Sequence, residues 1–364
     1  ASPVHTILEQ AIDAVPGLST TLDGANADLT VFAPDDDAFN AALDSLGITA
    51  GDLLSDPNLA DILEYHVLAG TIGSGDLSNG LIETPLNNAN TVKFTIDGTD
   101  AYINQSLIDG ADIPVTNGAL HSMDQVIFAN ETVADIAIDS PDHSTLVAAV
   151  IEARLLPALT HPFLSLTVFA PTDDAFTEAL DSLGITAGDL LADPTLPNTL
   201  LYHVLGFEAQ SGDLFNGAVA TPLNTANTVK VTIDGTDVFV NHPQVTSADN
   251  LADNGVVHVL GDVILPVETV ADVAIDSPDH TTLVAAVVEA RLLPALTNPF
   301  AEFTLFAPTD AAFDELDDAY LSNLVENDIT NLTKILKYHV LSGTVMSSDL
   351  SDGMRVETLQ GKYI

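Results

Sequence analysis

The sequence repeats with a period of 137 residues, and this repeat constrains the fold more than any other feature. The segment at 30–34 reads Thr-Val-Phe-Ala-Pro and returns unchanged at 167–171. It returns again at 304–308 as Thr-Leu-Phe-Ala-Pro, after the same interval. A period of this length suits a whole domain and exceeds the roughly 20–50 residues of a solenoid unit. The chain is therefore predicted to be a tandem array of one domain.

Two further motifs keep nearly the same spacing. A Tyr-His pair recurs in all three copies, and Asn-Gly followed by two apolar residues and a histidine recurs in the first two. They occupy Tyr65-His66, Tyr202-His203, Tyr338-His339 and residues 117–121 and 254–258. Three landmarks that share one period identify a true repeat.

The landmarks divide the chain into repeat 1 (1–131), repeat 2 (132–268) and repeat 3 (269–364). The joining segments 132–163 and 269–300 are nearly identical and contain no flexible Gly/Ser-rich linker, so we expect similar junctions. Repeat 1 has no counterpart of the lead-in at 132–138, and repeat 3 stops before a counterpart of 254–266. We expect either that the native chain continues beyond Ile364 or that a neighbouring copy completes repeat 3 by strand addition.

The charge of the chain excludes several functional classes. There are 8 Lys and Arg residues against 53 Asp and Glu, a formal net charge of −45. Such a field repels nucleic acid and anionic lipid headgroups, so no nucleic-acid partner is expected. The acidic residues are spread between apolar runs, which indicates folded domains with acidic surfaces. We expect saline surroundings, where salt screens the self-repulsion.

Composition also limits the chemistry and the location. The chain has no cysteine, which rules out disulfides and thiolate catalysis. No apolar run approaches the ~18–20 residues of a membrane span, so no membrane insertion is expected.

Local patterns predict an α+β domain. An apolar strand at 166–169 is followed by Thr172, which is placed to cap a helix that should end at Gly184. Hairpins are predicted around the Asp-Gly pairs at 97–98 and 234–235. The segments 65–68 and 256–265 are interpreted as buried strands. Because helices come early and strands late in each copy, an α+β fold is favoured over a doubly wound sheet.

Histidines and acids invite a catalytic or metal hypothesis, but their positions favour structural roles. Eight of the ten histidines recur at repeat positions, and we expect them to be buried and bonded to the backbone. The sequence has no hydrolase, zinc-protease or phosphate-loop motif, so it predicts no catalytic residues, no metal-ligating residues and no enzyme activity. Arg154 and Arg291 are expected to form structural ion pairs at the junctions. No dedicated cofactor is expected, and Ca²⁺, Mg²⁺ or Na⁺ should bind only loosely through the collective charge.

The repeated motifs resemble those of the fasciclin (FAS1) domain family. The Thr-Val-Phe-Ala-Pro segments resemble the first signature of that family, residues 254–260 resemble the second, and Tyr-His matches the motif between them. The resemblance implies tandem domains, each with a β-sandwich-like core flanked by helices, in secreted or surface-anchored proteins. It also implies binding at the Tyr-His region, which here comprises Tyr65, His66, Tyr202, His203, Tyr338 and His339.

Three functional hypotheses remain open on sequence grounds. The first is an extracellular or cell-surface adhesion or matrix module whose tandem domains make multivalent weak contacts with other surface or matrix molecules. The alternative is a structural subunit of a self-assembling filament or sheath, whose partners are copies of itself. The third hypothesis is an enzyme, which a deep polar pocket in one repeat would favour.

Overall fold

The computed structural model describes residues 3–24 and 27–364, apart from the side chain of Asp318. Its contacts divide the chain into two compact units. Unit 1 comprises residues 1–166 and 251–256, and unit 2 comprises residues 167–250 and 257–364. Helices from the start of repeat 2 therefore fold together with repeat 1.

The secondary structure follows the repeats. The elements of repeat 1 are α1 (Thr6–Ala14), α2 (Leu18–Leu22), β1 (Leu29–Pro34), α3 (Asp36–Leu46), α4 (Ala50–Leu54), α5 (Leu59–Tyr65), β2 (Val67–Ala69), β3 (Ile82–Glu83), β4 (Val92–Asp97), β5 (Asp100–Ile103), β6 (Ser106–Pro114) and β7 (Gly118–Met123). Those of repeat 2 are α6 (Val133–Ile138), α7 (Ser144–Glu152), α8 (Leu156–Leu159), β8 (Leu166–Pro171), α9 (Asp173–Leu183), α10 (Ala187–Leu191), α11 (Leu196–Leu201), β9 (Val204–Leu205), β10 (Val219–Ala220), β11 (Val229–Asp234), β12 (Asp237–Val240), β13 (Val245–Ala252) and β14 (Gly255–Leu260). Those of repeat 3 are α12 (Val270–Ile275), α13 (Thr281–Glu289), α14 (Leu293–Leu296), β15 (Phe303–Leu305), α15 (Asp310–Phe313), α16 (Asp318–Asn327), α17 (Ile329–Tyr338) and β16 (Val340–Ser342).

The sheet of repeat 1 has seven strands in the order β2-β1-β7-β6-β5-β4-β3. β1 pairs in parallel with β7, and the other neighbours are antiparallel. Successive side chains of β1 point to opposite faces. Phe32 joins a cluster with Tyr65 and Phe94, whereas Ala33 packs among helical residues such as Phe39. One face of the sheet thus packs against the helices, and the other face encloses a second apolar cluster.

In the other two repeats the strands fall into smaller sheets. Strands of repeat 2 form the orders β10-β11-β12 and β13-β14-β8-β9, and β15 pairs with β16 in repeat 3. The interior cluster of repeat 2 contains Phe169, Tyr202 and Leu260, matching the cluster of repeat 1. Mixed helices and sheets confirm the predicted α+β fold.

Several local predictions are confirmed. The hairpin β4–β5 turns at Gly98, whose φ is 62°, and β11–β12 repeats this turn at Gly235, with a φ of 64°. The Thr172 side chain accepts a hydrogen bond from the Ala175 amide at the start of α9. Gly184 ends that helix in the left-handed conformation.

Two strand predictions are wrong in extent. Tyr65 is the last residue of α5, and the backbone amide of the next residue, His66, donates a hydrogen bond to the Leu63 carbonyl at the end of that helix. The strand therefore begins only at residue 67. Residues 65–68 are all buried, so their hydrophobicity does not distinguish a helix end from a strand. In repeat 2, β14 ends at Leu260 and not at 265.

In the described part of the chain, no helix has the length and hydrophobicity needed to cross a membrane.

Candidate functional site: the Tyr-His motif

The Tyr-His motif lies between a helix and a short edge strand in each repeat. In repeat 1, Tyr65 closes α5 and His66 leads into β2, the neighbour of β1. The His66 carbonyl accepts a hydrogen bond from the Phe32 amide at 2.9 Å. The motif is thus fixed to the strand that carries the Thr-Val-Phe-Ala-Pro segment.

His66 is buried and has both ring nitrogens bonded to the backbone. The Ile127 amide donates to Nε2 at 3.1 Å, so Nδ1 carries the proton and donates to the Ile62 carbonyl at 2.8 Å. Burial lowers the pKa of His66 to about 4, because a charged ring would lose its hydration. His203 in repeat 2 is bonded in the same way to Ile264 and Thr199, and burial lowers its pKa to about 4 as well.

Tyr65 is buried with its hydroxyl bonded on two sides. The hydroxyl donates to the Thr91 carbonyl at 2.8 Å and accepts from Asn104 Nδ2 at 3.2 Å. Asn104 has a φ of 49°, a left-handed conformation that asparagine tolerates better than most residues. Desolvation raises the pKa of the Tyr65 hydroxyl, so it stays a neutral donor.

Asn104 links Tyr65 to a buried ion pair. Its side-chain Oδ1 accepts a hydrogen bond from the Lys93 backbone amide at 2.9 Å, and its backbone amide donates to the Lys93 carbonyl. Lys93 Nζ is paired with the carboxylate of Asp135, and their side chains are 1% and 4% exposed. Asp135 also accepts from the Thr132 amide and hydroxyl, at 2.8 and 2.6 Å. We call Tyr65, Asn104, Lys93 and Asp135 the junction network of repeat 1.

Repeat 2 contains the same network. Its members are Tyr202, Asn241, Lys230 and Asp272. Tyr202 donates to the Thr228 carbonyl at 2.8 Å and accepts from Asn241 at 3.2 Å, the distances found in repeat 1. Burial raises the pKa of Tyr202 to about 12. Burial also acts to raise the pKa of Asp272, but hydrogen bonds from Lys230 and Thr269 outweigh it and lower the pKa.

The motif of repeat 3 is more open. Tyr338 is 37% exposed, and its hydroxyl donates to the Tyr363 carbonyl. The ring of His339 is half-buried and bonds the Ile335 carbonyl through Nδ1. The expected burial of the Tyr-His histidines is thus confirmed for His66 and His203 and is wrong for His339. Four of the six residues implicated by family resemblance face inward, and Tyr338 is exposed to solvent.

The histidines of the Asn-Gly motif are also structural. His121 accepts from the Asp112 amide at Nδ1, so its Nε2 donates to the Ile72 carbonyl at 2.9 Å. His258 repeats this arrangement with Asp249 and Ala209. Each ring also stacks on the phenylalanine of the Thr-Val-Phe-Ala-Pro segment, Phe32 or Phe169. Backbone bonding of the repeated histidines is confirmed at these positions. It is wrong for His143 and His280, whose Nδ1 atoms bond the hydroxyls of Ser140 and Ser277.

The two arginines that recur between the repeats form ion pairs. Arg154 forms an ion pair with Asp97 at 3.2 Å, and Arg291 pairs with Asp234 at 3.3 Å, as predicted. Within residues 3–24 and 27–364, no group of three or more His, Cys, Asp or Glu side chains could hold a metal ion.

Sequence reasoning missed the lysine and asparagine of the network. Lys93 and Lys230 are two of only eight Lys and Arg residues and lie 137 positions apart, in strands that alternate apolar and polar residues. Alternation places the polar residues on a solvent face, so the available signal was only that two of the few lysines recur at the repeat interval.

The model of the Fasciclin domain matches residues 3–129, 141–266 and 278–364. Transforming growth factor-beta-induced protein ig-h3 of Sus scrofa is 27% identical over 357 residues, which cover 97% of this chain and 50% of that protein. Protein sll1483 of Synechocystis is 43% identical over 139 residues, 37% of this chain and 73% of that protein. Cell surface glycolipoprotein MPB83 of Mycobacterium bovis is 39% identical over 98 residues, 26% of this chain and 43% of that protein. The chain thus spans about half the length of the pig relative.

Proposed function

The chain belongs to the fasciclin domain family, and we propose that it acts outside the cell or at the cell surface as a non-enzymatic adhesion or matrix module. The observation that carries this proposal is the threefold match to the Fasciclin domain across the chain. A bacterial relative described as a cell surface glycolipoprotein supports the location. We also propose the domain division 1–131, 132–268 and 269–364.

We propose that adhesion is multivalent and uses the outer surface of the repeats. In repeats 1 and 2 the Tyr-His side chains are buried and bonded internally, so a partner at this motif would contact the surface around it. Once one repeat is bound, its tandem neighbours are held close to further binding sites. The total affinity of several weak contacts then exceeds that of any one contact. The net charge of −45 favours basic patches on surface or matrix partners, loosely bound cations and saline surroundings.

A bead assay with graded surface density tests this function. Beads that carry the full chain are placed on cultured cells with an intact surface matrix, and retention under flow is counted. Retention should rise more steeply than linearly with density, because weak contacts cooperate only when they are close together. Beads coated with succinylated albumin of matched charge are the control.

The same assay separates adhesion from self-assembly. Clumping of chain-coated beads without cells would favour a filament or sheath built from copies of the chain. Retention equal to that of succinylated albumin at every density would contradict the adhesive function.

A further inference from the structure

The helix that carries the anionic end of each junction network lies outside the fasciclin domain matches. Residues 130–140 and 267–277 separate those matches, and they contain α6 and α12. Asp135 and Asp272 occupy the third position of these helices. By sequence, each helix leads into the following repeat, but its aspartate completes the buried network of the preceding one.

The buried ion pair makes this contact obligatory for the preceding repeat. A lysine ammonium that is 1% exposed has lost its water and needs an anion close by. Lys93 Nζ obtains one charge partner, Asp135, and one backbone acceptor, the Thr91 carbonyl at 2.9 Å. Without α6, Lys93 would have to leave the interior or remain there unpaired, and removal of one member of a buried pair is strongly destabilising.

Contacts farther along the junction hold the next helix as well. Asn79 Nδ2 donates to the Ile151 carbonyl at the end of α7, at 2.9 Å. Gly80 has a φ of 79°, and a Cβ there would lie 2.8 Å from the Ile151 side chain. In repeat 2, Asn216 and Gly217 make the corresponding contacts with Val288. The close approach of backbone to side chain is therefore a repeated feature of both junctions.

An exposed ion pair completes the contact. Arg154 follows α7 with a φ of 58°, and its Nε donates to the Ile96 carbonyl in the β4–β5 hairpin. Arg291 has a φ of 54° and lies beside Asp234 in the equivalent hairpin. The Arg154–Asp97 and Arg291–Asp234 pairs are substantially exposed, so salt screens them. Salt screens the buried Lys–Asp pairs much less.

We propose that the Tyr-His motifs of repeats 1 and 2 are each conformationally coupled, through their junction networks, to the helix between that repeat and the next. Tyr65, Asn104 and Lys93 form one end of a cooperative unit, and α6 with Asp135 forms the other. The two ends open together. Opening of one repeat then releases the helix that precedes the following repeat.

Hydrogen exchange of the full chain, measured by mass spectrometry, tests the coupling. In Lys93→Met we expect the amides of α6 to exchange about a hundredfold faster, because Asp135 is left as a buried unpaired charge. The amides of α12 should keep their wild-type rates, which makes the second junction an internal control. Lys230→Met should show the reverse pattern.

Two further variants keep the test decisive. Tyr65→Phe preserves the core volume and removes one hydroxyl, so α6 should exchange about fivefold faster. Lys93→Met with Asp135→Leu replaces the pair by apolar side chains and should recover most of the lost protection. The proposal would be overturned if, in Lys93→Met, the core amides of repeat 1 exchanged faster while the amides of α6 kept their wild-type rates. Wild-type exchange of α6 in Tyr65→Phe would overturn the part assigned to the motif.

Discussion

Replacement of Gly255 by alanine is expected to destabilise repeat 2 by at least about 4 kcal/mol. Gly255 has a φ of 147°, a conformation that other residues rarely adopt, and a Cβ there would lie 2.0 Å from the Leu166 carbonyl oxygen. Backbone atoms of β8 would have to move to relieve this contact. Gly118 is in the same position in repeat 1, where the Cβ would lie 1.8 Å from the Leu29 carbonyl oxygen. The measurement is calorimetric unfolding of the full chain.

Gly188→Ala is the matched control in the same repeat. Gly188 is exposed in α10, and its nearest neighbour to a new Cβ is Thr186 Oγ1 at 3.7 Å, an ordinary contact. Alanine should stabilise this helix by about 0.5–1 kcal/mol. Equal stabilities of Gly255→Ala and the wild type would show that β8 and β14 do not approach as described.

The second large effect is a loss of stability in acid that depends on His203. Burial lowers its pKa to about 4 in the folded chain, against an ordinary value of 6.5. As the pH falls below 6.5, the unfolded chain therefore takes up the proton first. The contribution of His203 is complete above pH 6.5 and is lost as the pH falls to 4, by about 3 kcal/mol. Stability should thus rise with pH across this window.

His203→Gln isolates this contribution from the many carboxylates. The variant should be less stable at pH 7, because it loses the bonded imidazole. Its free energy of unfolding should also change by about 3 kcal/mol less than that of the wild type between pH 6.5 and 4. Urea unfolding followed by circular dichroism at several pH values measures both. Parallel pH profiles for the two proteins would contradict the burial of a neutral His203.

The sequence predicted the elements that depend on local chemistry. Gly98 and Gly235 set the hairpin turns, and Thr172 caps α9, since these effects involve residues adjacent in the chain. The helix end at Tyr65 was missed, because a residue buried on all sides has no periodic signal. His66 is held at this helix end by hydrogen bonds, one of which its Nε2 accepts from the amide of Ile127, far along the chain.

The candidate site was predicted by position and not by its contacts. The period located Tyr65 and His66, but it gave no indication that Asn104, Lys93 and Asp135 connect Tyr65 to the next helix. Lys93 and Asp135 are 42 residues apart, and only the folded chain brings them together. The matching separation of Lys230 and Asp272 could have been detected as a repeated charge pattern.

Residue-level labelling of the tyrosines in the native chain tests most directly whether the Tyr-His motif faces inward. Tyr320 and Tyr363 are 51% and 59% exposed, whereas Tyr65 and Tyr202 are 1% and 0% exposed. Nitration at neutral pH, located by peptide mass spectrometry, should modify Tyr320 and Tyr363 readily. Tyr65 and Tyr202 should stay at least about tenfold less modified until the chain is unfolded. Modification of Tyr65 and Tyr202 at the rate of Tyr363 would contradict the inward-facing motif and the junction network built on it.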